Sequence, residues 1–135
     1  MADAIYGISR KAFLDKDLDL LVDDIRVILI DLADYTLSID THDFLDDVPG
    51  AARVAVSSAM TTKTTTLGVF DADNITFSSV SGDVSEALII YRHTGTDATS
   101  QLIAYIDGAT GLPVTPNGGD ITITWDSGSD KIFKI

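Results

Sequence analysis

The sequence predicts an all-β protein, a sandwich or jelly-roll-like barrel of about eight short strands, and three observations carry that expectation. The chain breaks into short runs containing β-branched and aromatic residues, separated by Gly, Pro, Asn and Asp. Its acidic residues are almost all aspartate, with Glu86 the only glutamate. Aspartate suits turns and caps, whereas glutamate suits helices. Two apolar runs, Ala87–Tyr91 and Leu102–Ile106, flank a polar loop holding Gly95 and Asp97, and neither alternates cleanly. Strands of that kind are covered on both faces, so this hairpin belongs in the middle of the core, not at a sheet edge.

In chain order, residues 1–24 stand apart as an N-terminal arm or first strand. Tyr6, Phe13, Leu14, Leu18, Leu20 and Leu21 are interleaved there with Asp15, Asp17, Asp19, Asp23 and Asp24. Ala12 to Leu14 suits a helical turn, while Asp17–Val22 alternates closer to a strand. Such apolar but weakly periodic arms pack on a neighbour, which makes Tyr6, Phe13, Leu14 and Leu18 candidate interface residues. Residues 25–135 then form a single β domain. Its first core strand is Ile25–Leu32, with Ile25, Val27 and Leu29 on one face and Arg26, Ile28 and Ile30 on the other.

A long connection follows from Ala33 to Gly50. It contains a short helical turn near residues 40–46, capped by Asp40 or Thr41 and stopped by Val48-Pro49-Gly50. Phe44 and Leu45 on this connection complete the candidate interface. Ala52–Ala59 and the threonine-rich Thr61–Phe70 are expected as two strands, the second half-exposed. Asp71–Asn74 is a turn, Ile75–Val80 a strand, and Ser81–Asp83 the turn into the central hairpin. After Asp107 the composition is that of a loop, with Pro116 and Asn117-Gly118 as turn signals. Asp120–Trp125 places Ile121, Ile123 and Trp125 on one face, and Ile132–Ile135 closes the chain as a short strand.

The totals narrow the function. At 135 residues the chain suits one domain with a sizeable core. A net charge of −12, with 9 Lys and Arg against 21 Asp and Glu, lacks the basic footprint of a nucleic-acid binder. The absence of cysteine excludes disulfides, thiolate metal sites and cysteine nucleophiles. The first residues show no apolar secretory core, and no run approaches the roughly 20 apolar residues of a membrane span. Synthesis and folding in a cytoplasm are therefore expected, with no membrane partner.

Candidate chemistry is sparse. Asp15, Asp17 and Asp19 copy the first ligand positions of a calcium loop, but Leu20 replaces the turn glycine and Arg26 the closing glutamate. Asp71, Asp73 and Asn74 carry oxygens, as turn residues between strands do without any metal. His42 and His93 lack a motif-spaced carboxylate or hydroxyl, and no nucleophile elbow, zinc-binding helix pair or phosphate loop occurs. Asn74-Ile75-Thr76 matches a glycosylation sequon with no secretion signal to support it. Trp125, Tyr6, Tyr35, Tyr91 and Tyr105 could line a carbohydrate platform, although such aromatics more often anchor cores or subunit interfaces. The expected assignment is no catalytic residue, no cofactor and no metal.

Three stretches resemble a family of small structural proteins encoded in the head gene clusters of tailed bacteriophages. They are KAFLDKDLDLLVDDIRVILIDLADYT, THDFLDDVPGAARV and LIAYIDGATGLPVTPNGGDITITWDSGSDKIFKI, which together carry the order of arm, first strand, His-Asp connection and closing I-T-W strand. The resemblance implies a virion protein, best read as a capsid decoration (cement) protein on the outer shell. The implied partners are the major capsid protein and further copies of the chain in a homotrimer. The alternatives are a neck or tail component, or a carbohydrate-binding β-sandwich module on the virion. The resemblance also implies a small or glycine-like residue where this chain has Lys16.

Overall fold

A computed structural model describes residues 4–135. The described residues are mostly β: nine strands in antiparallel ladders, one α-helix, and short 3-10 turns. The central sheet has five strands, β1 (Ala4–Ile5), β2 (Ile25–Ile30), β3 (Arg53–Val56), β6 (Ala87–Arg92) and β7 (Leu102–Ile106), in the order β1-β7-β6-β2-β3. Two small ladders complete the β structure. One pairs β4 (Val69–Phe70) with β9 (Phe133–Lys134), the other β5 (Ile75–Phe77) with β8 (Ile121–Ile123). The arrangement is consistent with a sandwich, and the described strands do not close into a barrel.

The expected central hairpin is there. β6 and β7 pair antiparallel inside the sheet, and every residue from Ala87 to Tyr91 and from Leu102 to Ile106 is buried. Both faces are covered, which accounts for the missing alternation. On one face Ile25, Val27, Leu29, Leu88, Ile90, Ile103, Ala104 and Ile106 pack with Phe70, Phe77, Ile123 and Trp125. On the other, Ile28, Ile30, Ala87, Ile89, Leu102 and Tyr105 pack with Tyr6, Tyr35, Leu45 and Val48. The first-strand faces read from the sequence are thus the observed ones. Ile103 and Ala104 share a face because the β6–β7 register shifts between Ile90 and Tyr91, a bulge that inserts one residue.

Of the arm or first strand expected over residues 1–24, a first strand is present and Ala12–Leu14 falls inside a helix, whereas Asp17–Val22 forms no strand. Tyr6, Ala12, Leu18 and Leu20 of this segment are buried in the core. Strand β1 pairs with β7, and helix α1 (Gly7–Asp15) lies against it. Its anchorage is polar: Ser9 Oγ donates to the Leu102 carbonyl at 2.6 Å, and Gln101 Nε2 donates to Ser9 Oγ at 2.9 Å. The helix ends in a left-handed Lys16 (φ 68°), with the Asp17 amide donating to the Ala12 carbonyl at 2.9 Å. Lys16 thus holds the conformation for which glycine is favoured.

Two other elements depart from expectation. The turn near residues 40–46 is displaced: a 3-10 turn covers Leu45–Asp47, and neither Asp40 nor Thr41 caps it. Asp43 and Asp47 brace it instead, the Asp43 amide donating to Asp47 Oδ2 and the Phe44 amide to Asp43 Oδ1, both at 2.8 Å. Residues 61–70 are not one strand. Thr64 and Asp71 bridge each other, a 3-10 turn occupies Thr66–Gly68, and only Val69–Phe70 is extended.

Candidate docking surface

The most exposed large apolar residues are Leu67 (93%), Leu14 (89%), Val22 (80%) and Ile135 (61%). Leu14 and Ile135 line one groove, and Leu21 and Gly68, the chain neighbours of Val22 and Leu67, line a second that shares Ile135. Phe13 and Phe133 form a ridge, with ring centroids 6.5 Å apart. The two grooves flank this ridge and share Phe13, Phe133 and Ile135 in their walls. The larger, about 1030 Å³, opens between the β1/β7 end of the sheet and the β9 segment, with Leu14, Ile106, Trp125 and Ile132 in its lining. The smaller, about 380 Å³, is lined by Leu18, Leu20, Leu21, Thr65 and Gly68. Val22 follows Leu21 in the chain, and Leu67 precedes Gly68.

Gly68 holds this surface together. Its φ is +79°, and a Cβ there would lie 2.7 Å from the Ile135 carbonyl oxygen. The Ile135 amide donates back to the Gly68 carbonyl at 3.0 Å. A side chain at residue 68 would therefore displace the end of the β9 segment from the groove wall.

The candidate interface residues separate on inspection. Leu14 is exposed and Phe13 half-buried, both in the large groove. Tyr6, Leu18 and Leu45 are each buried in the chain's own core, and of the three only Leu18 also lines a groove, the smaller one. Phe44 is half-buried and bridges Gln101 through its backbone. Val22, Leu67 and Ile135 were not singled out from the sequence. A lone Leu67 among threonines was the one readable signal, since a leucine in an exposed polar run has no core to join.

The side chains with chemical potential are held elsewhere. His42 Nδ1 lies 2.8 Å from the Tyr35 hydroxyl, which lies 2.9 Å from the Tyr6 hydroxyl. His93 Nδ1 lies 3.2 Å from the Tyr91 hydroxyl. Among the described residues neither imidazole hydrogen-bonds a carboxylate, the partner a general base needs. Asp19 Oδ1 accepts from the Leu21 amide at 2.9 Å, and Asp15 pairs with Lys11. Asp73 Oδ2 accepts from the Thr61 and Thr62 hydroxyls at 3.1 and 2.7 Å. Asn74 Oδ1 accepts from the Trp125 amide at 3.1 Å. These groups brace turns.

Two carboxylate groupings converge that the sequence reading did not single out, Asp31/Asp34/Asp83 and Asp43/Asp46/Asp47, each with ligand atoms within 4.8 Å. In the second, partial burial and the neighbouring Asp47 push the Asp43 carboxyl up, while the Asp43 amide pulls Asp47 down. All four tyrosines are buried, and Trp125 is only 7% exposed with its Nε1 donating to the Asp73 carbonyl at 3.1 Å. Their rings are largely committed to the core, although Tyr105 and Trp125 also line the large groove.

Among the described residues no helix is long and apolar enough to cross a membrane. Comparison with protein-family models and with curated proteins finds no match for this chain.

Proposed function

We propose that this protein is a structural component of a tailed-bacteriophage virion, a capsid decoration (cement) protein that stabilises the head shell. On this reading it is made in the host cytoplasm, binds the outer capsid surface, and contacts the major capsid protein and other copies of itself as a homotrimer. It performs no catalysis and carries no cofactor. The observation supporting it is the exposed apolar surface around Phe13, Leu14, Val22, Leu67 and Ile135 on a domain of net charge −12. An acidic surface keeps subunits apart until a specific partner is met, and an apolar face gives that partner area to bury.

A carbohydrate-binding module is the second reading. The large groove is concave and carries Asp126 and Asp130 in its wall beside Trp125. The burial of the rings weighs against it. A glycan array separates the two: sugar binding lost in Asp126→Asn and Asp130→Asn would favour the module.

The test of the main reading is a cryo-EM map of the virion. The expected result is ordered density for this fold on the outer shell, at local three-fold positions, with the Val22–Leu67 side of the Phe13–Phe133 ridge against the capsid. Density confined to the neck or tail would assign it there. Absence from the particle would overturn the virion reading.

A further inference from the structure

Six of the nine cationic side chains are engaged within the chain. Arg10, Lys11, Arg26, Arg53 and Arg92 pair with aspartates, and Lys63 Nζ donates to the Asp23 carbonyl at 2.6 Å. Among the described residues Lys16, Lys131 and Lys134 have no side-chain partner, although the chain carries 21 acidic residues. All three lie in the groove walls, Lys131 and Lys134 in the large one. That groove therefore has an apolar floor and two lysines in its wall with no ion-pair partner among the described residues. Asp126 and Asp130 also line it, the first accepting from the Gly128 amide at 3.1 Å, the second facing the Ser129 hydroxyl at 3.5 Å. Their presence disfavours a simple polyanion and favours a partner that brings both apolar anchors and a few placed carboxylates.

The opposite end of the same molecule has that character. In the order β1-β7-β6-β2-β3 the groove lies at the β1/β7 end, and β3 is the outer strand at the other. Of the three remaining exposed large apolar residues, Leu21 (50%) lines the smaller groove, while Val56 (49%) and Val84 (43%) belong to this second end. Val56 is on β3, and the turn before Val84 abuts it, since a Cβ at Gly82 would sit 3.5 Å from Val54 Cγ1. Asp34 and Asp83 are exposed there, their carboxylates converging with that of Asp31, and no cation pairs with them among the described residues. Like charges held that close repel, and an incoming ammonium relieves the repulsion.

We infer that the large groove receives the β3 end of a second copy of this chain, Lys131 and Lys134 meeting Asp34 and Asp83 around the apolar contacts of Val56 and Val84. The two surfaces differ, so the contact is heterologous: head to tail, closing into a ring when the rotation permits. This deepens the assembly reading by assigning one groove to self-association and leaving the Val22–Leu67 side for the shell. It rests on that reading for its purpose, but it is measured on the isolated protein without capsids.

The experiment is sedimentation velocity of the full chain at about 0.15 M salt, where charges beyond roughly 8 Å are screened and local complementarity decides. The wild type should form one discrete small oligomer. Lys131→Glu with Lys134→Glu should raise its dissociation constant tenfold or more, and so should Asp34→Lys with Asp83→Lys. The quadruple variant, with both ends reversed, should recover the oligomer. All these positions are at the surface, and circular dichroism checks that each variant folds. A monomeric wild type, an oligomer indifferent to either double variant, or a quadruple variant that stays monomeric would each overturn the pairing. Association that requires an added divalent cation would assign the aspartates to a metal and overturn it too. Loss of shell binding in the presence of an intact oligomer would count against the capsid reading alone.

Discussion

Lys16 holds the left-handed backbone that ends α1, with φ 68°, and its side chain has no partner among the described residues. Every L-residue other than glycine meets its own Cβ there, at roughly 1 kcal/mol. Lys16→Gly should therefore stabilise the domain by about 0.5–1 kcal/mol, seen as a higher urea midpoint at unchanged slope. The buried tyrosines give a second prediction at this scale. Burial, then the nearby Asp107 carboxylate, pushes the Tyr105 hydroxyl up to about 12, and burial likewise raises Tyr6, Tyr35 and Tyr91. Tyrosine in an unfolded chain ionises near about 10. The unfolded state thus releases these protons first, so the stability they confer is whole below about pH 10 and is lost as pH rises through the folded values. A tyrosinate absorbance titration should show ionisation delayed beyond pH 10 and coincident with loss of the far-ultraviolet dichroism. Ionisation of all four at ordinary values in a folded chain would contradict the packing.

At the scale of elements, the first segment is where structure and expectation part most. Removing residues 1–20 takes away β1, α1 and the buried Tyr6, Ala12, Leu18 and Leu20, which belong to both cores. Burial of each large side chain is worth roughly 1.5–3 kcal/mol, so together they approach the whole stability of a small domain. The truncated chain should be unfolded by circular dichroism; a folded one would restore the arm reading. The hairpin β6–β7 was legible because only burial on both faces tolerates runs such as ALIIY and LIAYI. Helix α1 was legible only as a turn at Ala12–Leu14, because its buried positions are Ser9 and Ala12, too small and too polar to write an apolar stripe. Residues 61–70 misled because threonine favours strands, whereas here the Thr64 amide turns back to the Asp71 carbonyl at 2.8 Å and Leu67 turns out of line at φ 54°. Leu14 was legible as a surface residue. The rest of the docking face was not, since Val22, Leu67, Lys131, Lys134 and Ile135 meet only in three dimensions.

For the whole molecule, the balance is between an acidic surface that repels and a few apolar patches that attract. Leu14 and Ile135 lie at one end with lysines, Val56 and Val84 at the other with aspartates, and none of those lysines and aspartates is ion-paired among the described residues. That distribution suits a subunit that stays soluble alone and assembles by defined contacts. The central claim is that the Val22–Leu67 side of the Phe13–Phe133 ridge docks on a shell, and Val22 and Leu67 are its most useful probes. Both are so exposed, at 80% and 93%, that Val22→Asp with Leu67→Asp leaves the core untouched. The decisive measurement is co-sedimentation of the wild type and this double variant with capsids lacking the protein. The account predicts saturable binding of the wild type and a loss of tenfold or more in the variant, about 1.4 kcal/mol, at unchanged circular dichroism. Equal binding of the two, or no binding of either, would contradict it.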